Sequence, residues 1–286
     1  MELSTQKIIK YSTSLFKRYN FKKPRYESLL ILSKVVERNL LEILTDKSIK
    51  INKKKNKKFL NKVFQRIKKK PLSRISGKKE FYSRDFFINK HVLDPRPETE
   101  ILVDVIKKLK LVNKKQVKIL DLGTGTSCLL ITLVLELKKK VIGVGVDNSV
   151  EALKVAKRNI ENFDLCKHIN LIESNWFSKI KENFDIIVSN PPYIPSNEIN
   201  NLDDEVKNFD PRGALDGGES GLNCYKTIAL QVNNFLKPNG YICLEVGNNQ
   251  IKKVESIFKF QGFKKIYNRK DYMNHERVIV FKKNRI

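Results

Sequence analysis

The chain reads as an α/β protein, a mostly parallel sheet covered by helices on both faces, preceded by a small helical domain. Three observations predict this. From residue 117 onward, short apolar strands alternate with helical patterns, the mark of βαβ units. Residues 1–70 instead carry apolar residues at helical spacing. Two final strands, 263–268 and 277–282, close the chain as an antiparallel pair.

Taken in order, helices are expected over Thr5–Arg18 and over Arg25–Leu44, the second following Pro24 and carrying Leu29, Leu30, Val35, Val36, Leu40, Leu41 and Leu44. Lys53–Lys58 reads as a solvated charge run, and Phe59–Lys69 as a third helix stopped by Pro71. Aromatic and β-branched stretches around Gly77 and Ser83 suggest a β-hairpin linker over 71–96. The larger, α/β domain is expected over 97–286. It opens with helix Glu98–Leu109, strand VKILDL (117–122), helix Ser127–Lys139 and strand VIGVGVD (141–147). Ser149 caps a helix to about Asn162. Strands INLI (169–172), FDIIVS (184–189) and YICLEV (241–246) follow, with a helix over 222–236 between the last two and another over 250–260. Seven strands result, and ligands of such sheets bind at the carboxyl ends of the strands.

The 286 residues carry 57 basic and 31 acidic side chains, a formal charge of +26. An acidic partner such as nucleic acid must therefore be weighed. Residues 1–90 hold 26 of the basic and 7 of the acidic positions, so the excess belongs to the N-terminal third. Lysine supplies 45 of the 57 cations, and the chain is rich in Asn and Ile. A genome biased toward A·T-rich codons and an electrostatic role both fit, since Arg rather than Lys dominates specific phosphate and base contacts. The start, MELSTQKIIKYSTS, lacks the apolar stretch of a secretory signal. The longest apolar run, Cys128–Leu137, contains Glu136 and is too short for a membrane span. Cys128, Cys166, Cys224 and Cys243 form no CxxC pair, and His91, His168 and His275 are isolated. Neither a metal site nor a disulfide framework is expected, and a reducing cytoplasm is.

Chemistry concentrates at three strand ends. After 117–122 comes Asp121-Leu122-Gly123-Thr124-Gly125-Thr126-Ser127, where the glycines let the backbone approach a ligand and the Asp121 carboxylate disfavours a phosphate. Asp147 ends the next strand, where a carboxylate can accept both hydroxyls of a ribose. A nicotinamide cofactor would suit that acid as well, but the third glycine of its fingerprint is replaced by Cys128. A tight structural turn is the competing reading. Asn190-Pro191-Pro192-Tyr193 follows FDIIVS. The prolines stiffen the loop and remove two donors, leaving carbonyl oxygens and the Asn190 amide as outward acceptors for a planar NH2 group.

This set resembles the S-adenosylmethionine-dependent methyltransferases that modify amino groups conjugated to a π-system, on nucleic-acid bases or on glutamine side chains. PLSRISGKKEF (71–81), LDPRPETE (93–100), SNWFS (174–178), IVSNPPYIP (187–195), DPRGALDGGESGL (210–222) and RKDYMNHERV (269–278) narrow the resemblance to the peptide chain release factor glutamine methyltransferases, the HemK/PrmC family. A sister family methylating a glutamine of a large-subunit ribosomal protein, and the adenine or guanine amino-group methyltransferases, are the alternatives. Residues 191–250 hold 4 basic and 8 acidic positions, a poor groove for a phosphate backbone.

The resemblance implies a Rossmann-like seven-stranded methyltransferase sheet with one antiparallel strand, a protein partner in the release factors, no membrane, no metal, and nucleic acid not as the methylated substrate. It implies that Asp121, Gly123, Thr124, Gly125, Thr126 and Ser127 cradle the methionine part of S-adenosylmethionine, which leaves as S-adenosylhomocysteine. Asp147 would take the ribose, Trp176 the adenine, and Asn190 would also touch the methionine end. Asn190, Pro191, Pro192 and Tyr193 would hold the substrate amide, with Asn190, Pro191 and Tyr193 catalytic. A core role is the competing reading for Trp176. Pro97, Glu98 and Thr99 would shape the entrance. Ser127 departs from the family's third glycine and is expected to cap the following helix. No His or carboxylate lies in the loop, so no general base is evident.

Overall fold

The computed structural model describes residues 3–46, 48–109, 111, 115–137 and 140–283. The chain divides into two compact units, residues 1–77 and 78–286.

The first unit is helical, with α1 (Thr5–Arg18), α2 (Pro24–Val36), α3 (Leu40–Thr45), α4 (Lys53–Ile67) and α5 (Leu72–Ser76), plus a two-residue pairing of β1 (Leu3–Ser4) with β2 (Lys50–Ile51). The helix expected over Arg25–Leu44 is two helices. Glu37 adopts a left-handed conformation, φ 61°, that ends α2, and Asn39 caps α3 by accepting from the Glu42 N–H while its amide reaches the Glu42 carboxylate. The charge run Lys53–Lys58 is solvated as expected and forms the first turns of α4, so the helix expected from Phe59 starts six residues earlier. The Asn52 side chain caps it, and the turn feeds straight into the buried face of Phe59, Val63 and Arg66, leaving the lysines on the wet side. Arg66 is buried and makes a two-pronged ion pair with Glu27, both contacts 2.9 Å. Ile8, Phe16, Leu32, Val35, Ile51 and Phe59 form this unit's core.

In the second unit the hairpin β3 (Lys78–Phe81) and β4 (Arg84–Phe87) precedes α6 (Pro97–Lys107). Residues 71–76, read above as part of the hairpin, form α5 in the first unit, closed by Gly77 at φ 74°. There follow β5 (Gln116–Leu122), α7 (Cys128–Glu136), β6 (Lys140–Asp147), α8 (Val150–Asn162), β7 (Ile169–Glu173) and β8 (Phe184–Ser189). The short α9 (Asp204–Lys207), α10 (Asn223–Gln231), β9 (Leu236–Glu245), α11 (Ile251–Phe260), β10 (Phe263–Lys270) and β11 (Glu276–Lys283) complete it. Lys138 and Lys139, the end of the helix expected from Ser127, lie outside the described residues.

The seven strands are ordered β10-β11-β9-β8-β5-β6-β7, with β11 alone antiparallel to the rest. β9 begins five residues before the expected strand, and its register against β8 is irregular there. β8 is buried at every position, as a central strand covered on both faces must be, which is why FDIIVS is apolar without alternation apart from Asp185. One face carries Leu102, Ile106, Leu130, Leu133 and Ile160; the other packs Tyr225, Ile228, Val254 and Phe258. The chain runs outward from β5 through β6 to β7, then returns to place β8 on the other side of β5. The loops leaving β5 and β8 therefore diverge, and a crevice opens between them.

Candidate active site

Two strand ends build this crevice from opposite sides. After β5, Asp121 is buried and accepts a 2.6 Å hydrogen bond from the Thr124 hydroxyl. Burial pushes its carboxyl up to about 7, against the lowering effect of that bond. Gly123 has φ 72° and is exposed, and a Cβ there would meet nothing within 4 Å, so the loop presents bare backbone to open space. Asp147, at the end of β6, accepts the Gly125 N–H at 2.9 Å and the Ser149 N–H at 3.0 Å, clasping the glycine loop against its own strand. Burial raises its pKa; the backbone donors oppose this. The Asn148 N–H also favours its charged form, and acceptor capacity remains for a ligand hydroxyl.

Gly123, Gly125, Asp147, Ser149, Trp176 and Asn190 line one cleft. A second, which shares Gly123, Gly125 and Asn190, extends to Asp121, Thr124, Thr126 and Thr99. Of the site residues read from the sequence, Asp121, Gly123, Thr124, Gly125, Thr126, Asp147, Trp176, Asn190 and Pro192 line these two clefts, while Ser127, Pro191 and Tyr193 line neither. Trp176 lines the cleft and, partly buried, packs against the core on one face of the sheet. Its backbone is left-handed, φ 51°, in a turn pinned by the Ser174 hydroxyl, which donates to the Trp176 carbonyl.

Ser127 is a correction. Its side chain caps nothing: it adopts φ 62°, and its buried hydroxyl has no partner among the described residues. The position demands the left-handed backbone glycine tolerates best, which explains why a glycine would suit it.

Asn190 leaves β8 with its Nδ2 donating 3.0 Å to the Thr99 hydroxyl, so Oδ1 is not the atom tied to the protein at that contact. Thr99, from α6, donates 2.6 Å to Glu245 Oε2. Tyr193 donates 3.3 Å to Glu245 Oε1, and Tyr225 donates to the Glu245 carbonyl. One carboxylate at the end of β9 therefore anchors both ends of Asn-Pro-Pro-Tyr. Burial pushes Glu245 up to about 7, opposed by the Thr99 hydrogen bond and the Arg277 charge. Burial and the Glu245 charge raise the Tyr193 pKa far above the usual phenol range. Behind the loop, Gln250 Nε2 donates 2.8 Å to the Tyr193 carbonyl, and Gly217 packs so close that a Cβ would stand 2.8 Å from the Pro192 carbonyl oxygen. Arg96 pairs with Asp210, joining LDPRPETE to DPRGALDGG, whose Pro211, Gly213 and Ala214 also line the cleft.

Sequence reasoning missed Glu245, Arg277 and the Arg96–Asp210 tie. The signal for Glu245 was present: a lone carboxylate closing an apolar strand, as Asp121 and Asp147 do. Pro97, Glu98 and Thr99 sit at the start of α6, and of these Thr99 reaches Asn190. Among the described residues no three His, Cys, Asp or Glu side chains gather as for a metal ion.

Comparison with known proteins follows the same lines. A profile described as "Methyltransferase domain" matches residues 113–279. The bifunctional methyltransferase of Rickettsia prowazekii (strain Madrid E) is 37% identical over 297 residues, covering 98% of this chain and 57% of that protein. The chain thus spans little more than half the length of such relatives. The release factor glutamine methyltransferase of Agrobacterium fabrum is 36% identical over 263 residues and covers 91% of each chain. A solved methyltransferase from Pyrococcus furiosus shares the fold, with TM-score 0.52 and 16% identity over 81% of this chain and 99% of that one. A seven-stranded sheet with one reversed strand, the glycine loop and the Asn-Pro-Pro-Tyr turn thus accompany a match over 91% of the Agrobacterium enzyme, and the chain belongs to the release factor glutamine methyltransferase family.

Proposed function

We propose that this protein methylates the side-chain amide nitrogen of the glutamine in the GGQ motif of peptide chain release factors, with S-adenosylmethionine as donor. The observation that carries the reading is the Asn-Pro-Pro-Tyr turn, whose Asn190 amide is held by Thr99 and Glu245 at the mouth of the glycine-loop cleft. The name of the Agrobacterium relative, a release factor glutamine methyltransferase, supports the choice of substrate.

An amide nitrogen is a poor nucleophile because its lone pair is delocalised into the carbonyl. S-adenosylmethionine supplies the electrophilic methyl group, carried on a sulfonium. The open backbone at Gly123 and the remaining acceptor capacity of Asp147 fit the cofactor's methionine and ribose parts, with Trp176 over the adenine. Asp121, Thr124, Gly125, Thr126 and Ser127 complete that cradle. Asn190 Oδ1 and the Pro191 carbonyl accept the two N–H bonds of the substrate glutamine and fix the plane of its amide. Orientation of this kind supplies up to ~7–11 kcal/mol of a barrier. Pro192 stiffens the turn, and the Tyr193 ring packs on the substrate amide, its face favouring positive charge at the reacting methyl. The N-methylated amide, cationic after transfer, loses its proton to water.

The reading places the protein in the cytoplasm with its release-factor partner. Among the described residues no helix is long and apolar enough to cross a membrane. The test is transfer of tritiated methyl groups to a release factor, with its GGQ Gln→Ala variant, DNA and ribosomal RNA as parallel acceptors. Label in the intact release factor alone is the expected result. Label in nucleic acid would move the protein to the base-modifying enzymes.

A further inference from the structure

Asn190 can address a substrate amide in two ways, with its oxygen or its NH2 toward the cleft, and a side-chain amide rotated by half a turn exchanges them. Only one is useful, because a substrate NH2 needs acceptors. The protein contains a chain of bonds that selects it. A carboxylate accepts but cannot donate, so Glu245 Oε2 compels the Thr99 hydroxyl to turn its proton inward at 2.6 Å. Thr99 Oγ1 then offers only lone pairs to its other neighbour, and Asn190 satisfies it with Nδ2–H at 3.0 Å. The oxygen of Asn190 is left for the cleft. Glu245 Oε1 meanwhile takes the Tyr193 hydroxyl.

We infer that Thr99 and Glu245 are positioning residues that set the polarity of the Asn190 amide, and that protonation of Glu245 reverses it. This rests on the amide-methylating function proposed above. Once protonated, the carboxyl can itself donate to Thr99, whose own proton then faces Asn190, and the Asn190 oxygen swings inward to meet it. The NH2 group is turned to the cleft, where it repels a substrate NH2. The groups facing Glu245 are the Thr99 hydroxyl and the Glu98 carboxylate of α6, Tyr193 of the loop, Tyr225 of α10 and Arg277 of β11. Burial dominates and raises the Glu245 pKa to about 7, Glu98 adding to the rise and Arg277 opposing it.

The first arm is kinetic. Thr99→Val removes the relay while keeping shape, and turnover is expected to fall tenfold or more, with KM for S-adenosylmethionine within about twofold of the parent. Thr99→Ser, which keeps the hydroxyl, restores most of the turnover. The parent's turnover should fall below about pH 7, and Glu245→Gln should flatten that limb because a carboxamide does not titrate there. Parent-like turnover in Thr99→Val, or an unchanged acid limb in Glu245→Gln, overturns the inference. Melting curves of each variant report whether it is folded.

The second arm needs no acceptor. In the 15N spectrum of the full chain, the Asn190 side-chain NH2 pair, identified by its loss in Asn190→Ala, is expected to shift with a midpoint near pH 7 in the parent and not in Glu245→Gln. A pH-independent pair in the parent overturns the inference. A release factor left unlabelled by the parent, alongside this titration, would defeat the proposed substrate and leave the polarity device standing.

Discussion

Three carboxylates, Asp121 on β5, Asp147 on β6 and Glu245 on β9, sit at or next to strand ends on one edge of the sheet, and each has its pKa raised by burial. A buried acid of this kind is unfavourable to the fold when ionised. For Glu245 the folded value of about 7 lies above the ordinary 4.5, so the folded protein holds the proton more tightly than the unfolded chain. The stability this gives is complete below pH 4.5 and is lost as pH rises to about 7, to the extent of roughly 3 kcal/mol. Glu245→Gln removes that dependence. Calorimetric melting should find the variant gaining on the parent between pH 5 and pH 8, and a constant difference would show that Glu245 does not titrate in this window. Asn190→Ala and Asp147→Ala separate two other roles. The first is expected to lower methyl transfer by at least about 10²-fold with the cofactor dissociation constant nearly unchanged. The second should weaken cofactor binding in titration calorimetry, and an unaltered constant would remove Asp147 from the site.

At the scale of elements, the loop between β5 and α7 is held in a strained form by its surroundings. Ser127 keeps φ 62° and a buried hydroxyl without a partner among the described residues, because the Asp147–Gly125 bond and the start of α7 leave no other path. Ser127→Gly relieves the left-handed backbone and removes the orphaned hydroxyl, against the entropy that glycine adds to the unfolded chain. A net gain of about 1 kcal/mol is expected in denaturant titration. Ser127→Val should lose more than that, since a β-branched residue resists this conformation. Loss of stability in Ser127→Gly would mean that its hydroxyl contributes in a way the geometry does not express. A cap also sets the start of α4: the solvated run Lys53–Lys58 extends the helix of Phe59 back to the Asn52 cap, with the apolar face behind it. Local propensity is weak beside a cap and a buried stripe.

For the whole molecule, the +26 charge is unevenly distributed: the excess lies in the N-terminal third, while residues 191–250 carry more acid than base. Such a field steers association rather than chemistry. Replacing Lys53, Lys54 and Lys57 by Glu is therefore expected to raise KM for a release factor several-fold at low salt, to flatten its salt dependence and to leave the turnover number alone. A parent KM independent of ionic strength would remove the electrostatic role and leave codon bias as the account of the lysines.

Much of this was legible in the chain itself. Strand and helix alternation, the carboxylates ending the first two strands and the stiff Asn-Pro-Pro-Tyr turn are local patterns, and local patterns survive in one dimension. They sufficed for the fold class, the seven strands and most of the cleft. What the sequence could not show is anything that depends on which strands become neighbours. Return of β8 to the far side of β5 brings residues 190 and 123 to one crevice. Insertion of β11 beside β9 sets Arg277 near Glu245, and the start of α6 carries Thr99, 91 positions away in sequence, to the Asn190 amide. The residue types were determined by the sequence, but the direction in which the Asn190 amide faces was decided by the tertiary structure, because a hydrogen bond's polarity is set by the partner across it and not by the neighbours along the chain.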